Sequence, residues 1–383
     1  MSLTLDLIQQ GARQATGLSD PDTDSWREGL DYLIRDHAKA NVLSERGQSI
    51  LTARYTKALS ARMLVDDYLR KNPAITSAPV QRPVFIIGMV RTGTTMVSYL
   101  MDSDPANRSL LRWEAYNVVP PAEPGMLRSD PRCLTEKAQD EKMIQGNPQA
   151  AAAHFEFADG PTECVHLLAQ DFRSMMFAVL SDTPTYHDWL LFCDKTSAYN
   201  HRKRVFQILQ TTNPGRWVLK MPSDTVFIRD LFRVFPDARV IWTHRDPYAA
   251  FASSMSMRGR SRLIFNKDVG SEFMRSRFPM QLGLHTLRPL KMSQKRPDAF
   301  YHLYYDDLMS EPITQMCKVY RWLGFEWTSS VEEGMRHWLE ENPQGRLGTH
   351  KYSLEEWGFT KRDIEPYFAD YLKVHSVARG GEN

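Results

Sequence analysis

The run Val84-Phe85-Ile86-Ile87-Gly88-Met89-Val90-Arg91-Thr92-Gly93-Thr94-Thr95 constrains this chain more than any other feature. Its first four residues are apolar and β-rich, the composition of a strand buried on both faces. A glycine turn follows, and Thr94 to Met101 resumes helical spacing. A strand that turns into a helix N-terminus aims free backbone N–H groups at one point. The helix dipole adds positive potential there, so the place suits a phosphate or sulfate. Arg91 brings a fixed charge with planar donors, and Thr94 and Thr95 bring hydroxyls. No lysine precedes the threonines and GxxxxGK(S/T) is absent, so this is not a Walker A loop.

A second unit follows the same grammar. Trp217-Val218-Leu219-Lys220 is a strand, Thr225 to Phe235 an amphipathic helix, and Ala238 to Thr243 another strand. Pro247 to Met257 is a helix with Asp246 as N-cap and Pro247 at N1. Phe300 to Tyr305 is a later strand, and Pro312 to Leu323 a helix closed by Gly324. Alternating strands and helices imply a parallel sheet with crossovers, an α/β fold. The strand before Arg245 delivers that guanidinium to its C-terminal end, where open α/β sheets bind ligands. Ser253 lies eight residues on, about two helical turns. The pair could hold one phosphate, or be a surface ion pair with Asp246 and a helix-surface serine.

The flanks differ. Residues 1 to about 72 read as helical, in segments such as SWREGLDYLIRDHAKA, and Asn72-Pro73 ends that run. Pro73 to Pro83 reads as a linker. This divides the chain into an N-terminal helical extension, 1–80, and an α/β domain, 81–383. The stretch from about 121 to 213 is mixed, with a helical reading for CVHLLAQDFRSMMFAVL, and suits a helical lid over a pocket. Ser353 with Glu356, and Thr360 with Asp363, mark helix starts near the end.

Composition excludes several classes. Lys and Arg number 48 and Asp and Glu 46, so the net charge is 48 − 46 = +2, too balanced for a nucleic-acid binder. Cys133, Cys164, Cys193 and Cys317 form no C-x-x-C pair, which disfavours zinc and a disulfide framework. The N-terminus has no basic stretch before an apolar one. The longest run of apolar residues and glycine, Val84 to Val90, is far too short to span a membrane. A cytoplasmic, soluble protein is expected.

Five ordered segments carry a resemblance: Arg82–Thr95, Trp113-Glu114, Trp217–Pro222, Phe235–Pro247 and His350–Gly358. They resemble the bacterial branch of the sulfotransferases that use 3′-phosphoadenosine 5′-phosphosulfate (PAPS), whose members read RPVFIxGxxRTGTT, WE, WVLKxP, FPDARVIxTHRDP and HxYSLEExG. The match covers about residues 82 to 370. The resemblance implies a P-loop-like central parallel sheet flanked by helices. It implies transfer of a sulfuryl group to a hydroxyl of a small molecule or lipid, without a metal, leaving adenosine 3′,5′-bisphosphate (PAP). Arg91, Thr92, Gly93, Thr94 and Thr95 would hold the phosphosulfate, and Arg245 and Ser253 the 3′-phosphate. Arg346 and Lys351, in RLGTHK, would close over the nucleotide.

Sulfuryl transfer, like phosphoryl transfer, asks for positioning and charge stabilisation. Arg91 and Lys220 are the cations expected at the leaving oxygen. Glu114, 23 residues after Arg91 and expected at the end of the next strand, is the first candidate for the base. Glu163 and His166, three apart in a helical segment, are rivals, and His154 is a weaker one. Animal-type relatives carry a histidine base two residues after the strand-end lysine, and here that position is Pro222. Asp224 stands where many bacterial relatives have a histidine. It is expected to cap the following helix, with a proton-accepting role left open. The rival functions are a P-loop kinase or NTPase and a non-catalytic nucleotide-binding relative.

Overall fold

The computed structural model describes residues 3–146, 156–343, 353–375 and 377. Five strands, β1 Val84–Gly88, β2 Asn107–Arg108, β3 Arg216–Lys220, β4 Arg239–His244 and β5 Phe300–Tyr304, form one sheet in the order β2-β3-β1-β4-β5. Every pairing in it is parallel. β1 lies at the centre with β3 on one side and β4 on the other. Its C-terminal end opens where the chain departs in both directions, the switch point at which such sheets bind ligands.

The interior strands β1, β3 and β4 are largely apolar because both of their faces are covered. Phe85 and Ile87 point into one core with Trp217, Leu219, Val240 and Trp242. Val84 and Ile86 point into the opposite core with Val218, Ile241 and Leu303. This period-two division fits buried parallel strands. The expected strands stand within a residue or two of their places. The two-residue β2 carries no readable pattern and was not expected.

Three helices, Leu5–Thr16, Ser25–Ala40 and Glu45–Lys71, fill the N-terminal region. Trp26, Leu30, Leu33, Tyr55 and Leu59 join the same core as Phe85 and Ile87. The helix Glu45–Lys71 starts on Ser44, whose hydroxyl accepts from Gly47 N at 2.9 Å. Its first turn presses on the segment around Phe265: Ser44 N donates to Phe265 O at 3.0 Å. A Cβ on Gly47 would fall 1.7 Å from that same carbonyl oxygen, so only glycine allows this approach.

Three expectations need correction. Pro73–Ser77, within the supposed linker, is a 3-10 turn. The single helix expected from Thr225 is a 3-10 turn, Pro222–Thr225, followed by the helix Ile228–Val234. CVHLLAQDFRSMMFAVL is two short helices, Val165–Ala169 and Met175–Leu180. At the break Phe172 takes a left-handed conformation, φ 52°, and the carboxylate of buried Asp171 collects Ser25, Arg62, Arg173 and Ser197. By contrast Pro312–Leu323 ends on Gly324 at φ 73°, and Lys361–Val374 opens with the Thr360–Asp363 capping box, as expected.

Candidate active site

The turn after β1 is built by close packing. Gly88 faces Thr243 across the sheet. A Cβ there would lie 2.2 Å from Thr243 Oγ1 and 2.6 Å from Thr92 Oγ1. Those two hydroxyls sit 2.6 Å apart, and Thr92 Oγ1 also donates to Met89 O at 2.7 Å. The Thr92 side chain therefore pins the loop to the sheet and is not itself presented to a ligand. Arg91 (φ 70°) and Gly93 (φ 91°) take left-handed conformations on either side of it. The helix Thr94–Asp102 then starts, and its first N–H groups have no intrahelical partners.

Over this turn lies a cavity of about 900 Å³, which Arg91, Gly93, Thr94 and Thr95 line. Arg245 lines it as well and donates to Arg91 O at 2.8 Å. Its guanidinium stacks on Tyr305 with 4.1 Å to the ring centroid. The last strand residue of β3, Lys220, meets the loop from the other side. Lys220 Nζ lies 3.4 Å from Thr95 Oγ1, 3.3 Å from Glu156 Oε1 and 3.6 Å from Glu163 Oε1. Burial alone would lower the Lys220 pKa, but the two carboxylates hold it above its ordinary value. The ammonium thus stays charged in a dry place, where a charge acts strongly.

Glu156, Glu163 and His166 all line the cavity. Glu163 precedes the helix Val165–Ala169 and bridges alongside Lys220. His166 Nδ1 lies 3.0 Å from Tyr116 Oη, and its Nε2 lies 3.9 Å from Glu156 Oε2. Glu156 went unnoticed in the sequence, since it sits in no motif and only the folded chain brings it to Lys220.

Several expected residues lie elsewhere. Glu114 is not at a strand end but in the short helix Arg112–Tyr116, 1% exposed. It takes Arg108 at 2.5 Å and accepts from Leu111 N at 3.2 Å, and the cavity wall does not include it. Asp224 caps nothing: it is fully buried and holds Arg202 at 3.0 Å together with the Tyr199 hydroxyl. Ser253 is buried in the helix Pro247–Arg262, outside the cavity wall. His154, Arg346 and Lys351 lie outside the described residues. His244, His302 and His375 gather within 4.8 Å, a cluster the sequence did not announce. His244 Nε2 and His302 Nδ1 are hydrogen-bonded at 2.9 Å, and the His244 and His375 rings stack at 4.1 Å.

Residues 83–329 match the model of the sulfotransferase family, and that stretch holds the loop, Lys220, the acidic wall and Arg245. The chain belongs to this family. It is similar to the crystal structure of sulfotransferase STF9 from Mycobacterium avium, with 38% identity and a TM-score of 0.93, covering 100% of this chain and 99% of that one. It is also similar to STF1 from Mycobacterium tuberculosis H37Rv, with 27% identity and a TM-score of 0.85, covering 96% and 99%. A curated relative from Mycobacterium bovis, omega-hydroxy-beta-dihydromenaquinone-9 sulfotransferase Stf3, is 23% identical over 141 residues. That match spans only 36% of either chain. Among the described residues no helix is long and apolar enough to cross a membrane.

Proposed function

We propose that this sulfotransferase moves the sulfuryl group of PAPS to an acceptor hydroxyl by in-line displacement. A sulfur–oxygen bond forms to the acceptor as the one to the 5′-phosphate breaks, leaving PAP and a sulfate ester. The backbone of Arg91 to Thr95 holds the phosphosulfate, with Thr92 acting through its peptide and its anchoring hydroxyl. Arg245, which lines the cavity, takes the 3′-phosphate, while Ser253, buried outside the cavity wall, is given no ligand contact. Residues 81–383 form the transferase domain and 1–80 its helical extension.

The observation that carries this reading is Lys220 at 3.4 Å from Thr95 Oγ1. A buried ammonium beside the anion loop stands where the leaving phosphate gains negative charge, and stabilising that charge lowers the barrier. Arg91 supports it from the loop. Glu163, which lines the cavity 3.6 Å from Lys220, accepts the proton of the hydroxyl in preference to Glu114, which is 1% exposed and outside the cavity wall. Met175, Met176, Val179 and Leu180 make one wall of the cavity apolar. The acceptor is therefore an apolar alcohol, a phenol or a lipid, in keeping with the menaquinone-type substrate in the name of the Mycobacterium bovis relative.

Incubation with ³⁵S-labelled PAPS and a panel of phenols and long-chain alcohols tests the assignment. Labelled sulfate ester forms with the wild type, and Glu163→Gln lowers kcat by about 100-fold or more while PAP still binds. Undiminished transfer by Glu163→Gln would move the base elsewhere.

A further inference from the structure

Arg54 belongs to the N-terminal extension, outside the stretch that matches the family model. The helix Glu45–Lys71 nevertheless brings it to the cavity wall, beside Met176 and Tyr116. The contact with the Phe265 segment fixes that helix, and the Arg54 guanidinium lies over the Phe265 ring at 5.5 Å. Its polar contact is a weak one, to Met176 Sδ at 3.7 Å. Among the described residues no carboxylate reaches Arg54 at ion-pair distance. Of the residues beyond them, Glu382 alone is an aspartate or glutamate.

The other cations in or beside the cavity differ in this respect. Lys220 has Glu156 and Glu163, and Arg112 has Asp140 and Glu136. Arg91 and Arg245 stand at the loop that takes the donor. Arg258 reaches the side-chain oxygen of Gln281 at 3.0 Å once that amide is turned to satisfy both groups. On the apolar side Arg54 alone, among the described residues, has neither a carboxylate nor an oxygen partner. A guanidinium partly shielded by a thioether and an aromatic ring has given up hydration without gaining an anion. Its planar fork suits a carboxylate.

We propose that Arg54 binds a carboxylate carried by the acceptor itself, so that the substrate is an apolar hydroxy acid. The inference rests on the transferase reading above and names the substrate class of the same site. The hydroxyl lies toward Lys220 and Glu163, the hydrocarbon runs along Met175, Met176 and Val179, and the carboxylate meets Arg54. The extension thereby sets specificity for a reaction performed by the α/β domain.

The test compares matched acceptors with ³⁵S-labelled PAPS: 3-(4-hydroxyphenyl)propanoate against 4-propylphenol, and 10-hydroxydecanoate against 1-decanol. The acid of each pair should be preferred about 10- to 100-fold in kcat/KM, the worth of a charged hydrogen bond. Arg54→Met should bring the ratio near one, Arg54→Lys should restore part of it, and Arg54→Glu should turn the preference toward tyramine. Equal use of acid and neutral partner by the wild type would overturn the inference and leave the transferase reading intact. Should none of the four be sulfated, calorimetry on the PAP complex decides: tighter binding of the acids, lost in Arg54→Met, supports the role, and equal or absent binding refutes it. Loss of the transferase reading has another signature, no stabilisation by PAP.

Discussion

Lys220 Nζ lies 3.4 Å from Thr95 Oγ1 and 3.3 Å from Glu156 Oε1, so one buried ammonium joins the anion loop to the acidic wall of the cavity. Its removal should damage the chemical step more than donor binding. We predict that Lys220→Met lowers kcat by about 100- to 1,000-fold, the usual cost of a lost electrostatic stabiliser, while calorimetry still detects PAP. A kcat within a few fold of wild type would remove Lys220 from the mechanism.

Glu114 belongs to stability in this account. It and Arg108 are both nearly inaccessible and meet at 2.5 Å. Glu114→Ala leaves a guanidinium buried without its carboxylate, which costs about 3–5 kcal/mol. Urea unfolding should show that loss, with kcat per folded molecule close to wild type. A normal unfolding midpoint with abolished transfer would return Glu114 to the chemistry.

The α/β frame was legible because local signals and tertiary demands agree. Val84–Ile87 is apolar at every position since both faces are buried, and Gly324 ends its helix in a left-handed turn that glycine adopts easily. The anion loop was legible for the same reason. The acidic wall was not, because Glu156, Glu163 and Lys220 meet only through long-range packing. Glu114 misled because its distance from Arg91 said nothing about β2, which ends at Arg108 and gives that arginine to Glu114. Asp224 looked like a helix cap because sequence cannot reveal Arg202 beneath it. Arg54 carried no signal at all: its place depends on Gly47 meeting the Phe265 carbonyl.

Acid should weaken the fold through its buried histidines. His37, 7% exposed and 2.9 Å from the Tyr55 hydroxyl, is held neutral by burial, which lowers its pKa to about 4. The unfolded chain takes up that proton near the ordinary value of 6.5. The folded state therefore keeps this stability above pH 6.5, loses it progressively as pH falls, and has lost it below about 4. Urea midpoints should fall steadily between pH 6.5 and 4.5, and less steeply in His37→Gln. Parallel curves for the two proteins would show that His37 does not contribute.

The most direct test of the central claim is a thermal melt with PAP in EDTA, set against one with ATP and magnesium. PAP without metal should raise the Tm by several degrees, and Arg91→Ala and Arg245→Ala should each abolish most of the rise. Stabilisation by ATP with magnesium and none by PAP would contradict it.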